Sequence, residues 1–370
     1  MNNRQIIVVC GVISLLMPRQ ARSQSCGPEF TITLTPNGPG YNRLEAVTGF
    51  DVNDVWAVGF TNGNNYQTLV EHWDGSSWSI VPSPSPGITS QLRGVGGVAP
   101  DDFWAVGVFA EETGFHPTLT LTEHWDGAQW SVVPSPNVPG FFDQLNAVAA
   151  VATDDVWAVG EWSLRDPLFL HWDGAGWTIV NPPPDAGRQL AVVALASDDV
   201  WSAGEGRQSN NTTLFNHWDG TSWSTIPNPP LTPGWETIRG LSALAPNDVW
   251  AAGSLFYEFC DESCYDFLSP TILHWDGARW QIASAPAGYF SQLSGIAAES
   301  SSSVWSVGYG GGYTLASHWD GSRWTNAPAI HLGAGTVFEG VTTIAGDTWA
   351  VGWFAVPGQD RTLAVRYRCN

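Results

Sequence analysis

Seven copies of one short element divide the chain. Aligned on the tryptophan of Asp54-Val-Trp56-Ala-Val-Gly59, the element returns at Trp104, Trp157, Trp201, Trp250, Trp305 and Trp349, at spacings of 44 to 55 residues. A second element, His-Trp-Asp-Gly-x-x-Trp, follows six of the seven, beginning at His72, His124, His171, His217, His274 and His318. A period of this length marks an architecture in which each unit buries its apolar faces against its neighbours. It overrides the soft prior of two domains that 370 residues would otherwise suggest.

Each unit reads as four short strands, termed a to d. In the first unit these are 44–47, 55–58, 68–73 and 78–81. The Asp-Gly between the two tryptophans of the second element supplies the turn conformations of a tight c–d hairpin. Strands rich in Trp and Val on both faces suit a sheet sandwiched between two others. The expected fold is all-β, a seven-bladed β-propeller of four-stranded blades.

Closure of the ring can be read from the two ends. The seventh unit stops at Tyr367-Arg368-Cys369-Asn370 without a strand d. The missing strand lies at the other end, where 30–40 matches 130–140 position for position. Phe30 also precedes Leu44 by 14 residues, as Trp78 precedes Leu92. The N-terminal strand therefore completes the last blade. This register places Cys26 at the Asp and Cys369 at the Gly of the split turn, which predicts a Cys26–Cys369 disulfide. Constraining so long a loop would contribute about 5 kcal/mol in the chain-entropy model. Cys260 and Cys264 are expected to staple the longest b–c loop locally.

The first residues carry an arginine at position 4, an apolar run from Ile6 to Met17 and small residues before Cys26, the pattern of a secretory signal peptide over 1–25. The propeller then spans 26–370, with no transmembrane segment in the mature chain. Removal of Cys10 with the signal leaves an even number of cysteines, as an exported protein with disulfides would have. The expected location is secreted, extracellular or periplasmic, and the expected state a monomer. No lysine, 14 arginines and 35 acidic residues give a formal net charge of -21. A nucleic-acid partner would need clustered cations to release counterions, so none is expected. Schiff-base and phosphate-loop lysines are excluded outright.

With the unit laid out, the chain resembles the kelch class of propellers: a strand b ending in Gly (Gly59), an aromatic on strand c (Trp73) and a Trp on strand d (Trp78) before a Pro-rich turn. It departs from that class in having one Gly where two are usual, the second position being Phe60, Val108, Glu161, Glu205, Ser254, Tyr309 or Trp353. It is also similar to exported bacterial repeat proteins with His-Trp-Asp-Gly-x-x-Trp units. The resemblance implies architecture rather than activity.

Function must then come from residues that break the repeat. The six histidines, with the Asp opening strand b in most units (Asp54, Asp102, Asp155, Asp199, Asp248, Asp347), are expected to form one structural hydrogen bond per blade. Variation concentrates in the b–c loops, which open on the same face as the d–a loops and frame one end of the channel. Aromatic residues there suit stacking on sugar faces or a protein partner: Tyr66, His116, Trp162, Tyr257, Tyr265, Tyr309, Tyr313 and Trp353. At the channel wall the start of strand a presents Glu45, Arg93, Asn146, Arg239 and Glu339. Glu45 and Glu339, with Arg93 and Arg239, are the candidates if the protein is a polysaccharide hydrolase or lyase. A copper site built from Tyr257 or Tyr265 with His116 and His331 is a further alternative, but no metal and no cofactor are expected. The leading expectation is a non-enzymatic binding propeller for a carbohydrate or an extracellular protein; a structural surface component is the third reading.

Overall fold

The Asp-Gly pair between the tryptophans sets the outer hairpin of each repeat. In the first, Asp74 Oδ1 accepts the backbone N–H groups of Ser76 and Ser77 at 2.8 and 2.9 Å, and Gly75 adopts φ +93°, where a Cβ would be strained. These bonds hold the Asp74 carboxyl down at about 2, the Ser76 hydroxyl acting most strongly. The computed structural model describes residues 29–112, 117–163, 165–206, 215–229, 235–260, 264–285 and 291–368, leaving aside the side chains of 29, 235, 257–260 and 264–267.

The described residues form seven four-stranded antiparallel sheets and no helix, so the chain is an all-β seven-bladed propeller. Blade 1 runs from its inner strand outwards as a (Tyr41–Asp51), b (Asp54–Asn62), c (Tyr66–Trp73) and d (Trp78–Ile80). Blades 2 to 6 follow over 89–132, 144–179, 189–226, 235–283 and 291–326. Blade 7 takes a, b and c from Thr336–Ile344, Asp347–Val356 and Gln359–Arg368, and its outer strand from Glu29–Thr33, with Phe30 opposite Tyr367. The N-terminal strand thus completes the last blade. Inner strands are longer than the sequence pattern suggests, because both of their faces are covered by neighbouring blades. Outer strands shrink to three or four residues in blades 1 to 6, which leaves little open edge for pairing with another chain.

Tryptophan joins the blades. The strand b Trp of each blade inserts between the c and d aromatics of the next. Trp104 lies 5.0 Å from Trp172 and 5.1 Å from Trp177, and Trp349 closes the ring 5.0 Å from Trp73 and 5.3 Å from Trp78. In blade 7 the receiving position on strand c is Tyr367, 4.9 Å from Trp305 and packed on Phe30 of the opposite chain end. Edge-on and tilted pairs of this kind add about 0.5–1.5 kcal/mol each beyond area burial.

The repeated histidines are structural, as the pattern suggests. His72 Nε2 donates to Asp54 Oδ1 at 2.8 Å, and the same bond recurs at His124–Asp102, His171–Asp155, His217–Asp199 and His274–Asp248. Two blades deviate. In blade 6 the carboxylate is replaced by Ser303, 3.2 Å from His318, and burial pushes the His318 pKa down. In blade 7 the base is replaced by Arg366, which pairs with Asp347.

Candidate functional site

Just after the start of its core-facing run, each strand a has a residue that steps out of the ladder. In blade 1, Leu44 pairs with Gly59 and Ala46 with Val58, leaving Glu45 as a bulge. The same interruption occurs at Arg93, Asn146, Leu190, Arg239, Ser294 and Glu339. The glycine that ends each strand b element permits it. A Cβ on Gly59 would lie 2.0 Å from the Arg43 carbonyl oxygen, and one on Gly352 would lie 2.1 Å from that of Val337. Only glycine lets strand a approach so closely, and the bulge re-aims the extra side chain towards the axis. The seven bulge residues line one cavity of about 260 Å³ in the channel. The four residues singled out for catalysis, Glu45, Glu339, Arg93 and Arg239, therefore meet at the same level.

The electrostatics of this waist follow from its depth. Burial, reinforced by the neighbouring Glu45 charge, pushes the Glu339 carboxyl up to about 7, while Trp353 Nε1 donates to Glu339 Oε1 at 3.2 Å. Burial also raises Glu45, against the pull of Arg93, Arg43 and Arg239. The Arg93 pKa is lowered by burial. Its Nη1 donates to Asn146 Oδ1 at 3.4 Å, and its Nε is enclosed without an acceptor. Two carboxyls that share a small, partly dry space and face guanidiniums can bind hydroxyls as donor and acceptor, or exchange a proton near neutral pH.

Above the waist lies a second tier, formed by the residue after each strand b glycine and the strand a residue opposite it. Arg43 faces Phe60, Gln144 faces Glu161, Gln292 faces Tyr309 and Val337 faces Trp353. The tier has two sectors. Across blades 3 to 5, Arg188 pairs with Glu205 at 2.5 Å and approaches Glu161 at 3.7 Å. Gln144 donates to Glu161, and the Thr237 hydroxyl to Glu205 at 3.2 Å. Across blades 6, 7 and 1, the Arg43 guanidinium lies 3.9 Å over the Trp353 ring and pairs with Asp360 at 2.6 Å. Tyr309 stands beside Glu339, and burial, then that carboxylate, raises its pKa.

Of the aromatic candidates, Tyr309 and Trp353 come together around Glu339. Tyr66 packs on Phe60 at 5.2 Å, Trp162 on Phe141 at 4.8 Å and Tyr313 on His331 at 4.6 Å, each within its own hairpin or against an adjacent loop. His116, Cys26 and Cys369 lie outside the described residues, as do the side chains of Tyr257, Tyr265, Cys260 and Cys264 and the signal segment 1–25. Sequence reasoning missed Arg43 and Arg188. Their signal was available: each sits two or three residues before the apolar pair that opens the core-facing run of strand a, opposite the residue that follows the strand b glycine. Among the described residues no three His, Cys, Asp or Glu side chains gather as a metal ion would need, and no helix is long and apolar enough to cross a membrane.

No protein-family model and no curated protein matches the chain. Among solved structures it is similar to YCF48 bound to a D1 peptide, at 13% identity over 93% of this chain and 97% of that one, with a TM-score of 0.58. It is similar to U3-55K at 11% identity over 92% and 99%, with a TM-score of 0.60. The WD40 β-propeller domain of Doa1 matches at 11% identity over 92% and 97%, with a TM-score of 0.58. At such identities the likeness shows the fold alone, a β-propeller that occupies nearly the whole chain.

Proposed function

We propose that this chain is an exported, non-enzymatic binding propeller whose ligand docks at the channel mouth on the b–c loop face, and that the ligand is a carbohydrate. The observation that carries the reading is the convergence of Tyr309 and Trp353, from adjacent blades, on Glu339 above a polar waist. An aromatic wall beside carboxyls and guanidiniums offers apolar contact to a sugar face and partners to its hydroxyls. An extracellular protein is the ligand class to which the same face would fall if no sugar binds. Export rests on the signal pattern of 1–25, and a kelch-like blade grammar on the Gly, strand c aromatic and strand d Trp of each unit.

The two disulfides belong to this reading. Cys260 and Cys264 are backbone partners across the tip of the blade 5 b–c hairpin. In the closing blade the outermost described pair, Glu29 with Arg368, stands three residues after Cys26 and one before Cys369. Mass mapping of the unreduced mature protein should recover both bridges, and free thiols at these positions would count against them.

The test of function is a glycan array with residues 26–370, beside a variant in which Trp353, Tyr309 and Tyr313 are alanine. Specific binding lost in the variant is expected; no binding to any glycan overturns the carbohydrate reading. One observation favours a second reading, a polysaccharide hydrolase or lyase: Glu339 is held near 7 beside a second buried carboxyl, Glu45, and a carboxyl poised there can serve as a proton donor. Release of new sugar ends from a bound glycan, abolished in Glu339→Gln, would establish it.

A further inference from the structure

The channel gathers arginines in an acidic protein. Arg43, Arg93, Arg165, Arg188 and Arg239 line it or its mouth, in a chain with 14 arginines, no lysine and a formal net charge of -21. An acidic surface explains solubility, but it does not explain guanidiniums collected inside. Ion pairing accounts for Arg43, held by Asp360, and for Arg188, held by Glu205. It does not account for the two at the waist. Arg93 reaches an amide oxygen at 3.4 Å, and its buried Nε has no acceptor. Arg239 is exposed and lines the cavity, and its charge acts on Glu45, Glu339 and Tyr309. Among the described residues, neither guanidinium of the waist forms an ion pair.

We propose that the waist is a subsite for a uronate residue, whose carboxylate is taken by Arg239 while its hydroxyls bond to Glu45 and Glu339. The inference rests on the carbohydrate reading and names its ligand class. A guanidinium presents a planar fork that fits a carboxylate through two parallel hydrogen bonds. A uronate is the sugar that offers such a group together with hydroxyls for the adjoining carboxyls. Its single charge suits a site that also holds two glutamates, where a phosphate dianion would meet repulsion. The cavity of about 260 Å³ is smaller than the roughly 300–1,000 Å³ of pockets for drug-sized ligands, so it takes one residue of a chain. Trp353 and Tyr309 stand where the next residue would emerge at the mouth.

Isothermal titration of the mature protein with glucuronate-, galacturonate- and mannuronate-terminated oligosaccharides, each beside its carboxyl-reduced counterpart, tests the proposal. At least one acidic sugar is expected to bind ten-fold or more tightly than its reduced form. Arg239→Gln, a change at an exposed side chain whose folding is checked by thermal melt, is expected to abolish that preference, bringing the ratio of acidic to reduced affinity down to about one. Equal binding of acidic and reduced sugars, or a preference that survives Arg239→Gln, overturns the uronate subsite and leaves the carbohydrate reading standing. Binding of neutral glycans alone does the same. Binding of no glycan of any kind removes the carbohydrate reading and the subsite with it.

Discussion

The backbone N–H of Thr362 donates to the side-chain oxygen of Asn37 at 3.0 Å, across 325 residues of sequence. The same bond exists within blade 2, from Thr120 N–H to Asn137 Oδ1 at 2.7 Å, and in both places a hydroxyl pair lies beside it at 2.8 Å, Thr35 with Thr362 and Ser135 with Thr120. The clasp that closes the ring is thus an ordinary d–a loop, 34–40, anchored on a strand c that comes from the opposite end of the chain. Asn37→Ala removes the acceptor and should lower stability by about 1–3 kcal/mol. Asn137→Ala should cost a similar amount. Hydrogen exchange separates them: amides of 30–33 should exchange faster in Asn37→Ala and stay protected in Asn137→Ala. Unchanged protection in both would mean that the strand pairing alone closes the ring.

This closure was legible in the sequence because repeats carry their own alignment. Once Phe30 was matched to Trp130, the pairing of Phe30 with Tyr367 followed from the spacing. The His–Asp bonds were legible for the same reason, since a pair present in most blades cannot mark one site. The waist was legible in part. Glu45, Arg93, Arg239 and Glu339 stood out as polar residues in the apolar run of strand a, yet their common level depends on a one-residue bulge that the alternation of a strand does not reveal. The upper tier was the least legible. Arg43 reaches Trp353 only because blades 7 and 1 are neighbours in space, and the aromatic loop candidates share a face without sharing a pocket.

Blade 6 offers a repair. Ser303 stands where five other blades with a histidine have aspartate, so His318 is buried without a carboxylate and its pKa is lowered. The unfolded chain then binds a proton more readily than the folded one, and stability falls as pH drops below the ordinary histidine value of about 6.5. Ser303→Asp restores the pair and should reverse the sign, raising the His318 pKa and adding about 1.5–3 kcal/mol where the histidine is charged. Ring-proton NMR titration and melts at pH 5 and pH 8 check both. A variant that melts lower at pH 5 than the natural protein would show that blade 6 cannot adopt the geometry of the others.

Two buried acids weaken the ring at high pH. The Glu71 and Glu123 side chains are fully buried between blades; Glu123 has no hydrogen-bond partner, and the Thr362 hydroxyl beside Glu71 only partly offsets its burial. Burial pushes Glu123 up to about 8 and raises Glu71 as well. Each holds a proton in the folded state that the unfolded chain releases near 4.5. Stability is therefore complete below that value and is lost as pH rises towards 8, at a slope of up to about 1.4 kcal/mol per pH unit per group. Leu170 and Leu273 occupy the corresponding site in blades 3 and 5, where each faces the strand b alanine, as Glu123 faces Ala105. Glu123→Leu should accordingly flatten the urea midpoint between pH 5 and pH 8 and raise it most at pH 8. A pH profile parallel to that of the natural protein would show that Glu123 does not titrate in this window.

The midpoint of Glu339 near 7 has two causes in a definite order, burial first and the Glu45 charge second. The groups that face it are Glu45 and Arg43 from blade 1, Arg239 across the channel, Tyr309 from blade 6 and the Trp353 N–H of its own blade. Following the glutamate Cδ signals by NMR, with Glu339→Gln as the assignment control, separates the causes. Glu45→Gln should move the Glu339 midpoint down while leaving it well above the ordinary 4.5, because burial persists. Arg239→Gln should move it up, because the guanidinium favours the ionised carboxylate. A return to 4.5 in Glu45→Gln would assign the whole shift to repulsion and make the waist wetter than its geometry implies. The same proton governs ligand charge: as pH falls through 7 the waist loses a negative charge while Arg93 and Arg239 keep theirs. Affinity for a uronate should therefore rise as pH falls towards 7, by up to about ten-fold per pH unit, and level off once Glu339 is protonated in the free protein, and Glu339→Gln should remove that dependence.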